Sequence, residues 1–268
     1  MDFFSSYQTK MNISFIGSGN VAWHLAPALD NAGHVVKEVF SRNPRHAEAL
    51  TDRLYQAEVK ATLDFSTSPS RMFIVAVSDD ALAEVAREVI LPDEAILVHT
   101  SGSQSIDVLQ YAAAAHTAVF YPLQTFTKSK KVDLRATPIL IESTQDETLA
   151  ILTDIARSIS QRVQRIFPEE RLALHVAAVF ASNFTNHMLT ISHQILQHQQ
   201  LPKDLLAPLV RETFEKLQAL SPTQAQTGPA RRGDLETLDR HMEFLKDDAA
   251  LTELYKIISQ HILDNYDA

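Results

Sequence analysis

The chain has 268 residues, enough for one large domain or two modest ones. Hydrophobic residues make up 45% and charged residues 21%, an ordinary globular composition, while a net charge of −9 disfavours nonspecific binding to nucleic acid or to an anionic membrane surface. There are no cysteines, which excludes disulfides and thiolate metal sites and fits a reducing cytoplasm, and no apolar run reaches transmembrane length.

Residues 1–10 lack the basic start and apolar stretch of a signal peptide and are expected to form a loosely attached extension. Ile13, Phe15 and Ile16 then make a short apolar run suited to a buried parallel strand. Gly17-Ser18-Gly19-Asn20-Val21-Ala22 follows it and opens a helix, and His34 to Phe40 reads as a second strand. Each part of this pattern has a physical reason. Gly17 permits a tight turn, Gly19 lets a pyrophosphate approach the backbone, and Ala22 is small enough for helix and strand to pack closely. The N–H groups that open the helix face the phosphates, and the helix dipole favours their charge. A glycine pattern alone is weak evidence; between two strands and at the start of a helix it predicts a dinucleotide-binding βαβ unit. Gly17, Ser18, Gly19, Asn20 and Val21 are the expected pyrophosphate cradle.

The tip of the second strand selects the nucleotide. An NAD site usually carries Asp or Glu there for the ribose hydroxyls. This strand ends Phe40-Ser41-Arg42-Asn43, and Glu38 lies inside it. A guanidinium with a neighbouring hydroxyl suits a 2′-phosphate, so Ser41 and Arg42 predict NADP(H) over NAD(H). The other reading of Arg42 is a solvated surface charge. Pro27 falls in the middle of the first helix, where a kink is expected.

A helix is expected from Pro44 to about Tyr55, a poorly marked strand near Val59 to Leu63, and a clear buried strand at Met72 to Val77. The last ends in Ser78-Asp79-Asp80, where an aspartate reads as a helix cap. The next strand, Ala95 to Val98, ends in His99-Thr100-Ser101-Gly102. Ligands of open parallel sheets bind beyond the carboxyl ends of the strands. Val77, Ser78 and Thr100 are therefore expected at the cofactor, and His99 and Ser101 where nicotinamide and substrate would lie. His99 reads either as a general acid or as a strand-end histidine bonded to backbone. Strands follow at Ala118 to Tyr121, Pro138 to Ile141 and Arg162 to Ile166, with a helix from Gln145 to Ser160. The loop Pro122-Leu123-Gln124-Thr125-Phe126 stands at a strand tip, placed to cover the crevice.

From Pro168 the pattern becomes helical. Residues 169–199 read as one long helix whose middle, Leu172 to Leu189, is apolar almost all round and is expected to be buried. His175, Ser182 and Asn186 would share one stripe and Asn183 and His187 an adjacent one. These polar groups read either as interhelical hydrogen bonds or as substrate contacts. No metal site is expected, because His187 and His198 are eleven residues and roughly 16 Å apart. Helices are expected over Lys203–Leu220, Leu235–Leu245 and Asp248–Asp264. Thr227-Gly228-Pro229-Ala230-Arg231-Arg232-Gly233-Asp234 is a turn with two arginines at a helix start, suited to an anion or an interdomain contact, with Asp234 as the cap.

A nucleotide domain over residues 11–167 followed by an all-helical domain over 168–268 resembles pyrroline-5-carboxylate reductase and the 6-phosphogluconate dehydrogenase superfamily. More closely, the chain resembles the uncharacterised Rossmann-like family with domain of unknown function 2520. The resemblance rests on Ile16 to Ala22, Val98-His99-Thr100-Ser101-Gly102, Tyr121 to Phe126, Ala181-Ser182-Asn183-Phe184, and Thr227 to Asp234 with His241. It implies an α/β Rossmann domain with a mostly parallel sheet, then a helical domain like the C-terminal domain of 6-phosphogluconate dehydrogenase. It implies NADP(H) and hydride transfer to or from a small carbonyl, hydroxy or imine substrate at an interdomain cleft, in a homodimer built through the helical domains. The candidate substrate contacts are His99, Ser101, Asn183 and Arg232, with His175 and His241 behind them. In the β-hydroxyacid dehydrogenase branch a catalytic lysine lies four residues before a helix asparagine. With Asn183 as that asparagine the position holds Val179, so the lysine mechanism does not carry over. The rival expectation is an NADP-binding sensor or scaffold without catalysis.

Overall fold

The computed structural model describes residues 10–266, and the expected extension over residues 1–9 lies outside them. Close contacts divide the chain into two compact units, the division falling after His187.

The first unit is built on an eight-stranded sheet in the order β3-β2-β1-β4-β5-β6-β7-β8. The strands are β1 Asn12–Ile16, β2 Val35–Phe40, β3 Glu58–Lys60, β4 Met72–Val75, β5 Ile96–His99, β6 His116–Pro122, β7 Ile139–Glu142 and β8 Val163–Arg165. All neighbouring pairs are parallel except β6 and β7, which run antiparallel. The chain order reverses between β1 and β4, the switch point at which parallel sheets bind ligands. β1, β4, β5 and β7 are buried on both faces, which is why they read as continuous apolar runs rather than alternating ones.

Helices α1 Asn20–Asn31, α2 Pro44–Thr51 and α4 Asp146–Ile159 cover one face, through a core that includes Phe15, Leu25, Leu50, Phe120 and Leu152. Helix α3 Leu82–Glu88 covers the other face through Phe73, Leu82, Val85 and Leu97. Pro27 does not break α1, which stays helical through it. The proline has no N–H for the Trp23 carbonyl four residues back, and Arg53 Nη1 donates to that oxygen instead at 2.5 Å. The backbone acceptor freed by the proline is thus satisfied from the end of α2.

The expected single helix over 169–199 consists of α5 Pro168–Ala178, a π-helical turn Val179–Phe184 and α6 Thr185–His198. A π turn inserts one extra residue into the α-helical period, so His175 and Ser182 no longer share the stripe that seven-residue spacing implies. The apolar middle is also not buried within the chain: Phe180 is 64% exposed and Phe184 48%. In the second unit, α7 Ala207–Ala219, α8 Pro222–Ala225, α9 Leu235–Leu245 and α10 Ala249–Tyr266 follow one another. Ala230 and Leu238 are its buried apolar residues among those described.

Candidate functional site

Gly17 leaves β1 with φ +106, and its N–H donates to the Phe40 carbonyl at 2.8 Å. A Cβ at this position would stand 2.4 Å from the Ala76 carbonyl oxygen, so both the backbone angle and the close approach of β4 require glycine. Gly19 is the N-cap of α1, with no side chain capping the helix. The N–H groups of the first turn therefore open toward the cleft with the positive end of the helix dipole behind them. Ser18 Oγ donates to Ser41 Oγ at 3.0 Å, tying the turn to the tip of β2.

These elements bound a cleft of about 670 Å³. Gly17, Ser18, Gly19, Asn20 and Val21 line its floor, Ser41 and Arg42 one end, and Val77 and Ser78 the tip of β4. Thr100 is not among the lining residues; its N–H donates to the Val75 carbonyl at 3.3 Å, and its side chain is buried. Glu38 is turned away from the cleft end. It accepts from Ser14 Oγ at 2.8 Å and from Ser68 Oγ, and pairs with Lys60 at 3.3 Å. The carboxylate that could have met a ribose diol is thereby occupied inside the sheet edge.

Beyond the tip of β5 the chain makes a tight polar turn. Ser101 N–H donates to His99 Nδ1 at 3.1 Å, and Ser101 Oγ accepts from the N–H groups of Ser103 and Gln104 at 3.2 and 3.0 Å. Ser103 Oγ donates to Asp79 Oδ2 at 2.5 Å, so Asp79 ties two strand tips together and does not cap a helix as expected. His99 is fully buried. Burial first, and then the Arg171 guanidinium, hold its pKa down to about 4 against the opposing pull of Asp79. The ring is therefore neutral at pH 7, and its Nδ1 accepts from the Ser101 N–H, the backbone bond that one of its two sequence readings expects.

Arg171, the fourth residue of α5, is 2% exposed. Its Nε donates to Glu142 Oε2 at 2.8 Å and its Nη1 to the Ser101 carbonyl at 3.2 Å. Four residues on, His175 Nδ1 lies 3.1 Å from the Tyr121 hydroxyl, the two rings meeting edge to face. Gly102 lies against this pair: a Cβ there would stand 2.5 Å from His175 Nδ1 and 2.6 Å from Tyr121 Cζ. Burial pushes the Tyr121 phenol up, so it stays protonated at neutral pH.

The expected site residues thus fall in three places. The cradle and Ser41–Arg42 share the cleft, and His99, Ser101 and Thr100 build the turn beside it. Asn183 lies in the π turn with its side chain exposed, eight residues and about 12 Å along the helix past His175. Arg232 belongs to the second unit, on the exposed turn that ends at Gly233 with φ 66. There Asp234 caps α9 as expected, accepting from Thr237 N–H at 3.1 Å, and His241 Nδ1 lies 2.7 Å from the Tyr255 hydroxyl. Sequence reasoning passed over Tyr121 and Arg171 as site residues. Tyr121 stood within a noticed motif, but Arg171 carried no signal, because a charged residue in a helical first turn ordinarily faces water.

The chain matches the model of the domain of unknown function DUF2520 over residues 137–262 and a Rossmann-like domain model over residues 5–123. No curated protein matches the sequence. Among solved structures, it is similar to a candidate NADP oxidoreductase from Bacteroides fragilis at 37% identity and a TM-score of 0.88, over 96% of this chain and 99% of that one. A reductive aminase from Aspergillus terreus, solved with NADPH and ethyl levulinate, shares 14% identity over 96% of this chain and 95% of its own, with a TM-score of 0.68. An imine reductase from Myxococcus stipitatus, solved with NADP+, gives 14% identity and the same TM-score, over 96% of this chain and 100% of its own. At such identity these last two share the fold.

Proposed function

We propose that this chain, which belongs to the Rossmann-like family carrying the domain of unknown function 2520, is an NADP(H)-dependent oxidoreductase that reduces a small carbonyl or imine compound. The observation that carries the reading is the cleft itself. A glycine turn at positive φ and an uncapped helix N-terminus lead to Ser41 and Arg42, with Glu38 engaged elsewhere. Ser41 and Arg42 would hold the 2′-phosphate, Gly17 to Val21 the pyrophosphate, and Val77 and Ser78 would line the nicotinamide half. Bound there, NADPH supplies the hydride.

The chain supplies the proton. Strands β4, β5 and β6 are adjacent in the sheet, and Gly102, Tyr121 and His175 meet beyond the tips of β5 and β6, on the side where the nicotinamide would lie. With the Tyr121 O–H donating to Nδ1, His175 would give its Nε2 proton to the substrate oxygen or nitrogen, and Tyr121 would replace it at Nδ1. The Arg171 charge lowers the cost of the resulting phenolate, and solvent returns the proton after product leaves. His175 and Tyr121 thereby take the role that a lysine plays in related dehydrogenases, whose position holds Val179. A protonated imine carries its charge already and asks less of such a donor than a ketone does.

The test is NADPH consumption with a panel of cyclic imines, ketones and 2-oxo acids. Wild type should turn over at least one of them. His175→Asn and Tyr121→Phe should each lower kcat by roughly 10²–10⁴, the usual weight of a general acid, with NADPH affinity unchanged. Tight NADPH binding with no turnover across the panel would favour the sensor or scaffold reading instead.

The same reading includes a homodimer formed through the helical half. Every residue of α7 except Val210 is exposed, Leu209 at 63% and Phe214 at 48%. A thirteen-residue helix with so little packing is marginal in water. A second copy, offering the same apolar faces, covers them in an isologous interface. Light scattering should give the mass of two chains; a monomer at micromolar concentration removes the dimer from the proposal.

A further inference from the structure

The loop that follows β6 runs over the edge of the cofactor cleft. Leu123 N–H donates to the Pro138 carbonyl at 2.9 Å, which fixes the start of the loop. The loop then reaches α1, where His24 Nε2 bonds the Thr127 carbonyl at 2.9 Å and the His24 and Phe126 rings lie 5.5 Å apart. The next residue, Lys128, lines the same cleft as Ser41, Arg42 and Asn43. Its Nζ sits 4.8 Å from the centre of the Trp23 ring, which also carries Arg53 at 4.1 Å.

We propose that Lys128 is a second cation of the 2′-phosphate subsite, delivered by this loop from the far side of the cleft to act with Arg42. The inference rests on the NADP(H) reading above. A 2′-phosphate carries about −1.5 to −2 charges at neutral pH, more than one guanidinium neutralises. The cleft also holds Glu84 and Glu88, whose charges oppose an incoming dianion. A second cation offsets these charges, and Lys128 lines the same cleft as Arg42. Its present hold is weak: an exposed cation over an aromatic face is worth about 0.5–1 kcal/mol, and two cations on one indole repel each other. A flexible four-carbon stem lets the ammonium leave Trp23 for a phosphate while His24 keeps the loop anchored. The same loop begins next to Tyr121, so an occupied 2′-phosphate subsite also fixes the chain that leaves the proton-donating pair.

The test is calorimetric titration of wild type, Lys128→Gln and Arg42→Ala with NADPH, NADH, adenosine 2′,5′-bisphosphate and 5′-AMP. Lys128→Gln should weaken NADPH and the 2′,5′-bisphosphate by about tenfold or more, the effect of losing one hydrogen bond to a charged group, and leave NADH and 5′-AMP unchanged. Lys128→Arg should restore most of the loss. Equal weakening of NADPH and NADH would assign Lys128 to the pyrophosphate and overturn the proposal, as would no change at all. If wild type itself binds NADH as tightly as NADPH, the cofactor reading falls and the inference falls with it. If wild type prefers NADPH and only Arg42→Ala removes the preference, the cofactor reading stands and Lys128 alone is excluded.

Discussion

Gly17→Ala should unfold at lower urea and bind NADPH at least about 100-fold more weakly, a loss of about 2.7 kcal/mol. Two effects add at this position. An alanine at φ +106 is strained by about 1–3 kcal/mol, and its Cβ meets the Ala76 carbonyl oxygen at 2.4 Å. The obstacle is backbone in a buried strand tip, so the turn must move and take the cradle with it. Gly19→Ala provides the contrast. Its φ is −71, and the nearest atom to an added Cβ is the Ala76 oxygen at an ordinary 3.7 Å. That variant should melt within a degree or two of wild type and still lose most NADPH affinity, because its methyl group would stand where the pyrophosphate is expected to approach the backbone. Urea midpoints and titrations of the two variants separate a glycine needed for the fold from one needed for the ligand. Equal NADPH affinity in wild type and Gly19→Ala would show that the cradle is structural.

Arg171→Leu should cost about 3–5 kcal/mol in urea unfolding, the usual penalty for leaving the other member of a buried ion pair without its partner. Arg171 and Glu142 are 2% and 7% exposed at the side chain, and their bond is 2.8 Å long. The double variant Arg171→Leu/Glu142→Leu should recover much of that stability, since two apolar side chains replace a charge pair that was expensive to bury. Function should not recover with it. Arg171 also donates to the Ser101 carbonyl, so the turn that carries Gly102 against Tyr121 and His175 loses an anchor in either variant. The stable double variant should keep NADPH affinity and lose turnover. Full turnover in the double variant would make Arg171 a stability residue only.

The nucleotide half was legible because its signals are local. A glycine turn between two apolar strands has one economical conformation, and the strand-turn-helix order fixes which atoms face the cleft. Asp234 was found as a cap on the same grounds: the side chain acts on the backbone three residues away. The helical half was less legible. Hydrophobic pattern located α9 and α10 to within a residue or two, but it could not detect the π turn at Val179–Phe184, because a single inserted residue leaves composition untouched. The apolar run over 172–189 predicted burial, and much of it is exposed within the chain. Periodicity shows that a face wants cover and is silent on whether the cover belongs to the same chain.

By itself, then, the sequence determined the βαβ unit, its glycine turn, the arginine at the tip of β2 and the change to helices at Pro168. All of these depend on neighbours along the chain. Only the tertiary structure decided what depends on distant segments. It gave the Trp23 carbonyl freed by Pro27 to Arg53, and Glu38 to Ser14, Ser68 and Lys60. It buried His99 until its ring could no longer charge near neutrality, and it set Tyr121 beside His175 across 54 residues of sequence. A side chain's proton affinity and its reach are fixed by what packs around it. Those neighbours come together only when the sheet closes.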